Sequence, residues 1–476
     1  MTNERQVYLL DPQLLPPETI AVTFAKTSRS PESFREIAAE LTDARSAEFN
    51  EKWVVGYGHS SVAEHAVLHI ALENISRLAV ETLESNRLAS YTEKSTRYQT
   101  WQNDAFFIPP ELEGHALRTE YTHCCQHLFA TYRKCLEGLQ KYLSQTVETR
   151  QDEKPLQYER RIRSMAVDAC RFLLPSSSLA NVGMTINARA LEHAIGKLLS
   201  HPLIETREIG VEIKRVARES VPTLLKYADE IPYLRNVCSQ FATVETPAQR
   251  EPGPWCQLAH VDPQPVERLL AAALYREQSF SYEEALTWIK SCSPSTRQEL
   301  QNCLLNTPDA HTIPARELEN INFTFDIIVD QGAYFEIKRH RMMTQTPQRL
   351  TASLGYAIPR AIAKAGLLEE YQYAMEMARQ TYESMSTFNP EVASYVVPNG
   401  FNRRVLLTVN LRSLLHFIRL RSAPNAHFSV RRVAQRMAEL VCIQIPELDD
   451  LPGRYTAESS TLIEESFFHS TRQEQR

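Results

Sequence analysis

Two stretches far apart in the chain repeat one another, and this repeat limits the possible folds more than any other feature of the sequence. Residues 185–195 read TINARALEHAI and residues 408–418 read TVNLRSLLHFI, with Thr, Asn, Arg, Leu, His and Ile in register. Each follows an aromatic-x-x-Pro turn by a similar interval, Phe172 to Pro175 in one case and Tyr395 to Pro398 in the other. Solenoid repeats recur every ~20–50 residues, so a single match at this separation signals duplication of a whole domain. The chain of 476 residues also exceeds the size at which one hydrophobic core usually stops growing, so two domains of similar size are expected.

The expected boundaries follow from composition. A first domain takes residues 1–230. The Pro-rich stretch 231–265, with little periodicity, is a linker. A second domain takes 266–452, and 453–476 form a polar C-terminal tail with little to bury. AVTFAKTS (21–28) and NFTFDIIV (322–329) look like strands, and GHSSVAEHAVLHIALENIS opens as a loop and continues as an apolar helix or strand. Between and after them come longer helical patterns such as ERRIRSMAVDACRFLL, YQYAMEMARQTYESM and VRRVAQRMAELVCIQI. Runs of strand separated by runs of helix favour an α+β fold, two homologous domains each with a central β-sheet and long helices, over a regular βαβ winding.

Several function classes are disfavoured. The N-terminus lacks the basic-then-apolar order of a signal peptide and no apolar stretch approaches a bilayer span, so a cytoplasmic protein without a membrane partner is expected. The nine cysteines have no CxxC pair, which favours reduced thiols. In His123-Cys124-Cys125-His127 the adjacent cysteines diverge by about 100° on a helix and no second ligand pair follows, so no metal site is expected. The net charge of −6 and the lack of a basic flank argue against nucleic acid.

Within this acidic chain, positive charge is concentrated. From Phe401 to Arg432 there are seven arginines and no acidic residue, and Arg339-His340-Arg341 contains no carboxylate to neutralise it. The later arginines are interleaved with Leu411, Leu414, Leu415, Phe417, Ile418 and Leu420, so several must lie beside buried surface, where arginine suits phosphate or carboxylate. At ~100° per residue Arg412, His416 and Arg419 share one face of a helix while Asn410 and Arg421 lie opposite, so the helix is expected between two surfaces. In LASYTEKSTRY an extended chain would put Tyr91, Glu93, Ser95 and Arg97 on one side, a polar edge or a phosphate seat.

These residues resemble the flavin-dependent thymidylate synthases. The first segment is similar to that family at Gly58-His59 through Glu64-His65, at Ile75-Ser76-Arg77, at Ser90, at Glu93-Lys94-Ser95-Thr96-Arg97-Tyr98, at Arg171 before Leu174-Pro175 and at Asn187-Ala188-Arg189. The second is similar at Phe323-Thr324-Phe325, Arg339-His340-Arg341, Asn410-Leu411-Arg412, His416 and Arg421. The departures are complementary. The Arg-His-Arg of the first half has become Ser85-Asn86-Arg87 and the last arginine of its NAR helix is Leu198. In the second half the ExSxR positions are Pro347, Arg349 and Thr351, the arginine before the proline is Ser394, and the GHxSxxEH loop is reduced to Ala310-His311 with Glu317 or Glu319.

The resemblance implies a tandem duplication with a composite site, each half supplying what the other has lost, in a homodimer that imitates the family's tetramer. It implies transfer of a one-carbon unit from methylene-tetrahydrofolate to dUMP, with FAD as cofactor and NADPH as reductant. Arg421 would stabilise uracil ionised at N3, and Glu93, Ser95, Thr96, Arg97 and Arg171 would hold the nucleotide. His59, Arg339, His340, Arg341, Asn410, Arg412 and His416 would contact flavin, with Asn187, Arg189 and His193 as counterparts. The alternatives are a diverged flavoprotein acting on another nucleotide or one-carbon substrate, and a non-catalytic nucleotide-binding scaffold.

Overall fold

The computed structural model describes residues 6–27, 30–56, 60–101, 104–245, 253–306, 309, 312–448 and 451–469. His59, Ala310 and His311 lie outside these residues. The chain forms two compact units that do not follow sequence order. One comprises Met1–Lys94, Phe106–His115 and Ser177–Ala248, the other Ser95–Ala105, Ala116–Ser176 and Gln249–Arg476. Residues 116–176, expected in a first domain, therefore belong with the C-terminal part of the chain.

The first unit is built on a three-stranded antiparallel sheet of β1 (Val67–Ser76), β2 (Ala89–Glu93) and β3 (Leu179–Asn187) in the order β1-β3-β2. Strand alternation turns Leu68, Leu72, Val182, Met184 and Ile186 into a core shared with Val80, Leu191, Ile195 and Ile213. His69, Gly183 and Thr185 occupy the other face, where His69 Nδ1 lies 2.8 Å from Thr185 Oγ1. β3 ends at Asn187, whose side chain accepts from Ala190 N and starts the Ala188–Leu199 helix.

The AVTFAKTS segment is a correction: its residues 21–26 lie in the Pro17–Lys26 helix and not in a strand, and Ser28 lies outside the described residues. Pro17 opens the helix, and Glu18, Thr19, Ala21, Val22 and Thr23 are buried at a helical spacing. The Glu18 carboxylate accepts from Thr223 N and Leu224 N, and the Thr23 hydroxyl bonds back to Thr19 O. Tertiary contacts thus override the strand preference of Val and Thr.

The second unit carries a four-stranded antiparallel sheet of β4 (Cys256–Val261), β5 (Asn322–Asp330), β6 (Thr344–Pro347) and β7 (Asn402–Asn410) in the order β4-β5-β7-β6. Its β5-β7-β6 part repeats the order of the first sheet. β7 also ends in an asparagine cap, Asn410 accepting from Ser413 N at the start of the Leu411–Arg421 helix. Phe323, Phe325, Ile327 and Val329 point into a core completed by Leu414, Ile418, Val433 and Met437. The Leu117–Thr146, Pro155–Cys170 and Leu368–Phe388 helices belong to the same unit.

The segment 231–265, read as a linker, holds the Pro232–Ala242 helix of the first unit and edge strand β4 of the second. The tail, read as having little to bury, forms the Ser460–Phe467 helix and buries Ile463 and Phe468. Its aromatic pair explains two arginines of the basic stretch. Arg432 lies 4.4 Å from the ring centres of both Trp255 and Phe468, and Arg431 lies 4.9 Å from that of Phe467.

Candidate functional site

The two aromatic-x-x-Pro turns of the repeat meet in the second unit. Ser176 N donates to Val397 O at 3.0 Å and Asn399 N donates to Leu174 O at 2.9 Å, with Pro175 and Pro398 paired between them. Gly400 N donates to Phe172 O at 2.9 Å, and Asn399 Nδ2 to Arg171 O at 3.1 Å. The close approach needs glycine at 400, where a Cβ would sit 2.9 Å from Met375 Cε and 3.0 Å from Tyr371 Oη. This zipper carries Arg171, from the first half of the sequence, to residues of the second half.

There Arg171 is only 2% exposed. Its Nη1 lies 3.1 Å from Glu336 Oε1, while its Nε and Nη2 have no hydrogen-bond partner among the described residues. Glu336 comes from the Gln331–Ile337 helix, which is buried along its whole length and capped by Asp330, whose Oδ1 accepts from Ala333 N at 2.8 Å. The second Asp330 oxygen accepts from the Ser429 hydroxyl. Burial raises the pKa of Asp330, against the pull of Ser429 and Arg171.

The other oxygen of Glu336 meets Arg421. Arg421 Nη1 donates to Glu336 Oε2 at 3.2 Å, Nη2 to Glu336 O at 3.3 Å and Nε to His340 Nε2 at 2.9 Å. As the acceptor, His340 Nε2 is unprotonated, which places the proton on Nδ1. Burial, then the positive charge of Arg421, His416 and Arg339, pushes the His340 pKa down to about 3. Its ring is held edge-on to Phe417 at 4.9 Å, and that of His416 lies 5.8 Å away. Burial also lowers the pKa of Arg421; Glu336 opposes this, and Arg339, Arg97 and Arg171 add to it. Four guanidiniums thus act on one another around three carboxyl groups, Glu336, Asp168 and Asp330.

Arg97 is the tightest of these pairs. Its Nε and Nη2 donate to the two oxygens of Asp168, each at 2.9 Å, and its Nη1 donates to Asn425 O at 3.2 Å. His427 joins the same segments, accepting from Ser429 N on Nδ1 and donating from Nε2 to Asp168 O at 3.0 Å. It is fully buried, and burial first, then Arg171, lowers its pKa well below the ordinary value. Ser95 accepts from Arg97 N at 3.1 Å, and Thr96 beside it is buried.

The remaining candidates are dispersed. Glu93 ends β2 in the first unit and makes a buried ion pair with Arg77 at 2.6 Å, so the strand carries Tyr91 and Glu93 but stops before Ser95 and Arg97. Also in that unit, Asn187 caps its helix, Arg189 pairs with Glu64, and His193 is exposed. In the second unit Arg412 is paired with Glu319 at 2.5 Å, while Arg421, on the opposite face of the Leu411–Arg421 helix, meets the Gln331–Ile337 segment. Arg339 and His416 are exposed and Arg341 is half-buried. Among the described residues no three His, Cys, Asp or Glu side chains gather as metal ligands, and no helix is long and apolar enough to cross a membrane.

The view of Arg339–Arg341 as a run without a carboxylate partner needs correction. Glu336, in the preceding helical turn, is an acid of this cluster, 6% exposed and directed to Arg171 and Arg421. Asp168, His427 and Asp330 are further members that sequence reasoning missed. Glu336 had a signal, a lone acid within a helical turn of a cationic run. Asp168 had none, because its partner is 71 residues away.

The sequence model of the thymidylate synthase complementing protein family matches residues 12–223 and again 258–447. The chain belongs to this family. A UPF0159 protein of Chlamydia muridarum is 30% identical over 84% of this chain and 80% of its own length. A UPF0159 protein of Thermoplasma acidophilum is 28% identical over 84% and 86%. A flavin-dependent thymidylate synthase of Clostridium tetani is 26% identical over 44% of this chain and 82% of its own, one family length against the two matched here. Among solved structures, a Helicobacter pylori flavin-dependent thymidylate synthase complexed with FAD and dUMP covers 39% of this chain and 93% of its own, at 19% identity and a TM-score of 0.30.

Proposed function

We propose that the protein methylates dUMP to dTMP with methylene-tetrahydrofolate and NADPH as co-substrates and FAD as cofactor. The observation that carries this reading is the cluster in the second unit, where Arg97 and Arg171 from one half of the sequence meet Arg421 and His340 from the other. The two halves have lost complementary motifs, and this cluster joins residues both have kept. The zippered turns and the repeated strand order support descent from a tandem duplication. By the same logic, two chains would associate as a homodimer imitating a four-domain assembly.

In this reading Arg421 faces the developing negative charge on uracil N3. A guanidinium whose three contacts are already in place stabilises that charge without reorganisation. Neutral His340 fixes the orientation of Arg421 through its Nε2. Arg97 and Arg171, with Ser95 and Thr96, hold the nucleotide and its phosphate, for which the Nε and Nη2 of Arg171, without a hydrogen-bond partner among the described residues, are suitable donors. The second-unit residues assigned to flavin, Arg339, His340, Arg341, Asn410, Arg412 and His416, are cationic or neutral and match an anionic dinucleotide. FAD, when bound, supplies the hydride chemistry that side chains lack.

The test is purification with measurement of bound flavin, followed by rescue of a thymidine-requiring host. Yellow protein and rescue are expected; colourless protein that fails to rescue sinks the reading. A second reading, a diverged flavoprotein with a different nucleotide or one-carbon substrate, draws support from Glu336, which offsets positive charge where a phosphate dianion would bind. Yellow protein without rescue would favour it.

A further inference from the structure

Glu336 touches two of the guanidiniums assigned above to nucleotide. One carboxylate spans both: Oε1 lies 3.1 Å from Arg171 Nη1 and Oε2 3.2 Å from Arg421 Nη1. Without the Glu336 carboxylate, two largely buried cations would face each other in a region that already holds Arg97 and Arg339, an unfavourable arrangement.

The two contacts are loose. The Arg171 contact is an ion pair without hydrogen-bond alignment, since Glu336 Oε1 has no hydrogen-bond partner among the described residues. Both exceed the ~2.7–2.9 Å usual for charge-assisted bonds. The neighbouring Arg97 and Asp168 are joined in bidentate fashion at 2.9 Å twice over. Arg421 also keeps two anchors independent of the carboxylate, His340 Nε2 and the main-chain oxygen of Glu336. Losing the Glu336 carboxylate would therefore release Nη1 of each arginine while leaving the Arg421 guanidinium oriented.

We propose that Glu336 is a resident counter-anion, displaced from Arg171 by the phosphate of a nucleoside monophosphate, which frees Nη1 of Arg421 for the base, and that it sets how tightly the site takes phosphate. The identity of the ligand as a nucleotide rests on the function proposed above; the displacement itself needs only an oxyanion. Glu336 thus works as a charge selector. A phosphate dianion displaces the carboxylate, whereas the nucleoside without phosphate leaves it in place.

The experiment is calorimetric titration of the full chain and of its Glu336→Gln and Glu336→Asp variants with inorganic phosphate, dUMP and deoxyuridine. With the competing charge removed, E336Q is expected to bind phosphate and dUMP about tenfold tighter, a change of ~1.4 kcal/mol. Deoxyuridine affinity should stay unchanged, and E336D, which keeps the charge but retracts it, should fall between. Melting provides a second readout: E336Q should melt below the parent in phosphate-free buffer and gain more from added phosphate. Phosphate affinity in E336Q equal to or weaker than the parent's, or a phosphate-induced rise in Tm no larger than the parent's, overturns the proposal. If dUMP binds no better than inorganic phosphate in either protein while E336Q still tightens phosphate, the nucleotide reading fails and the displacement stands.

Discussion

Arg421 is held by three acceptors, His340 Nε2, Glu336 Oε2 and the Glu336 carbonyl, so its position depends on groups that do no chemistry themselves. Arg421→Ala should lower dTMP formation by about 10²-fold or more, the scale of losing a preorganised charge stabiliser. Arg97→Ala should do the same although it lies in the other half of the sequence, and it should also destabilise the fold by leaving Asp168 without its bidentate partner. Turnover assays beside melting curves separate the two effects. The histidines make the fold acid-sensitive. The folded pKa of His340, about 3, lies below its ordinary 6.5, and that of His427 lies well below, so the unfolded chain takes up protons first. Their contribution is complete above about pH 6.5 and is lost as pH falls towards 3, with a slope of up to ~1.4 kcal/mol per pH unit per histidine. Urea midpoints across pH 7.5 to 5 should show this decline, and His340→Gln should make it shallower.

Among the elements, the zippered turns and the C-terminal helix are the most exposed to test. A methyl group at position 400 would meet Met375, Tyr371 and Phe172 within 3.2 Å, so Gly400→Ala should cost ~1–3 kcal/mol by overpacking and loosen Arg171 with it. Truncation after Pro452 removes the aromatic partner of Arg431, one of the two of Arg432, and the ring of Phe467 stacked on Phe428 at 5.1 Å. The loss should be on the order of 2–4 kcal/mol, from two buried apolar side chains and their cation contacts, read as a fall in Tm. Several elements were legible in the sequence. The stretch read as a helix with Arg412, His416 and Arg419 on one face and Arg421 on the other is the Leu411–Arg421 helix. NFTFDIIV alternates and is β5. AVTFAKTS has the residues of a strand, but residues 21–26 are helical in an element whose Glu18 is held by the distant Thr223 and Leu224, which a local pattern does not register.

For the whole molecule, the compact units cut across the repeat. Residues 116–176 lie in the first half of the sequence but in the unit formed by the second. A fragment ending at 230 would expose the Leu117–Thr146 helix, which buries Tyr121, Leu128, Phe129 and Tyr132, and a fragment starting at 231 would lack Arg97, Asp168 and Arg171. Each expressed alone is expected to be poorly soluble and inactive, with activity returning only on co-expression; full activity in either fragment would contradict the composite site. The sequence by itself determined what depends on neighbours along the chain: the doubled motif, the two faces of the Leu411–Arg421 helix, the alternation of β5 and the family to which the chain belongs. The tertiary structure decided the rest: which arginine meets which acid, that Glu336 serves both Arg171 and Arg421, and that two turns more than 200 residues apart close on each other. Charge pairing and packing are set by distance in space, and spacing along a chain carries no record of it beyond the span of a few turns.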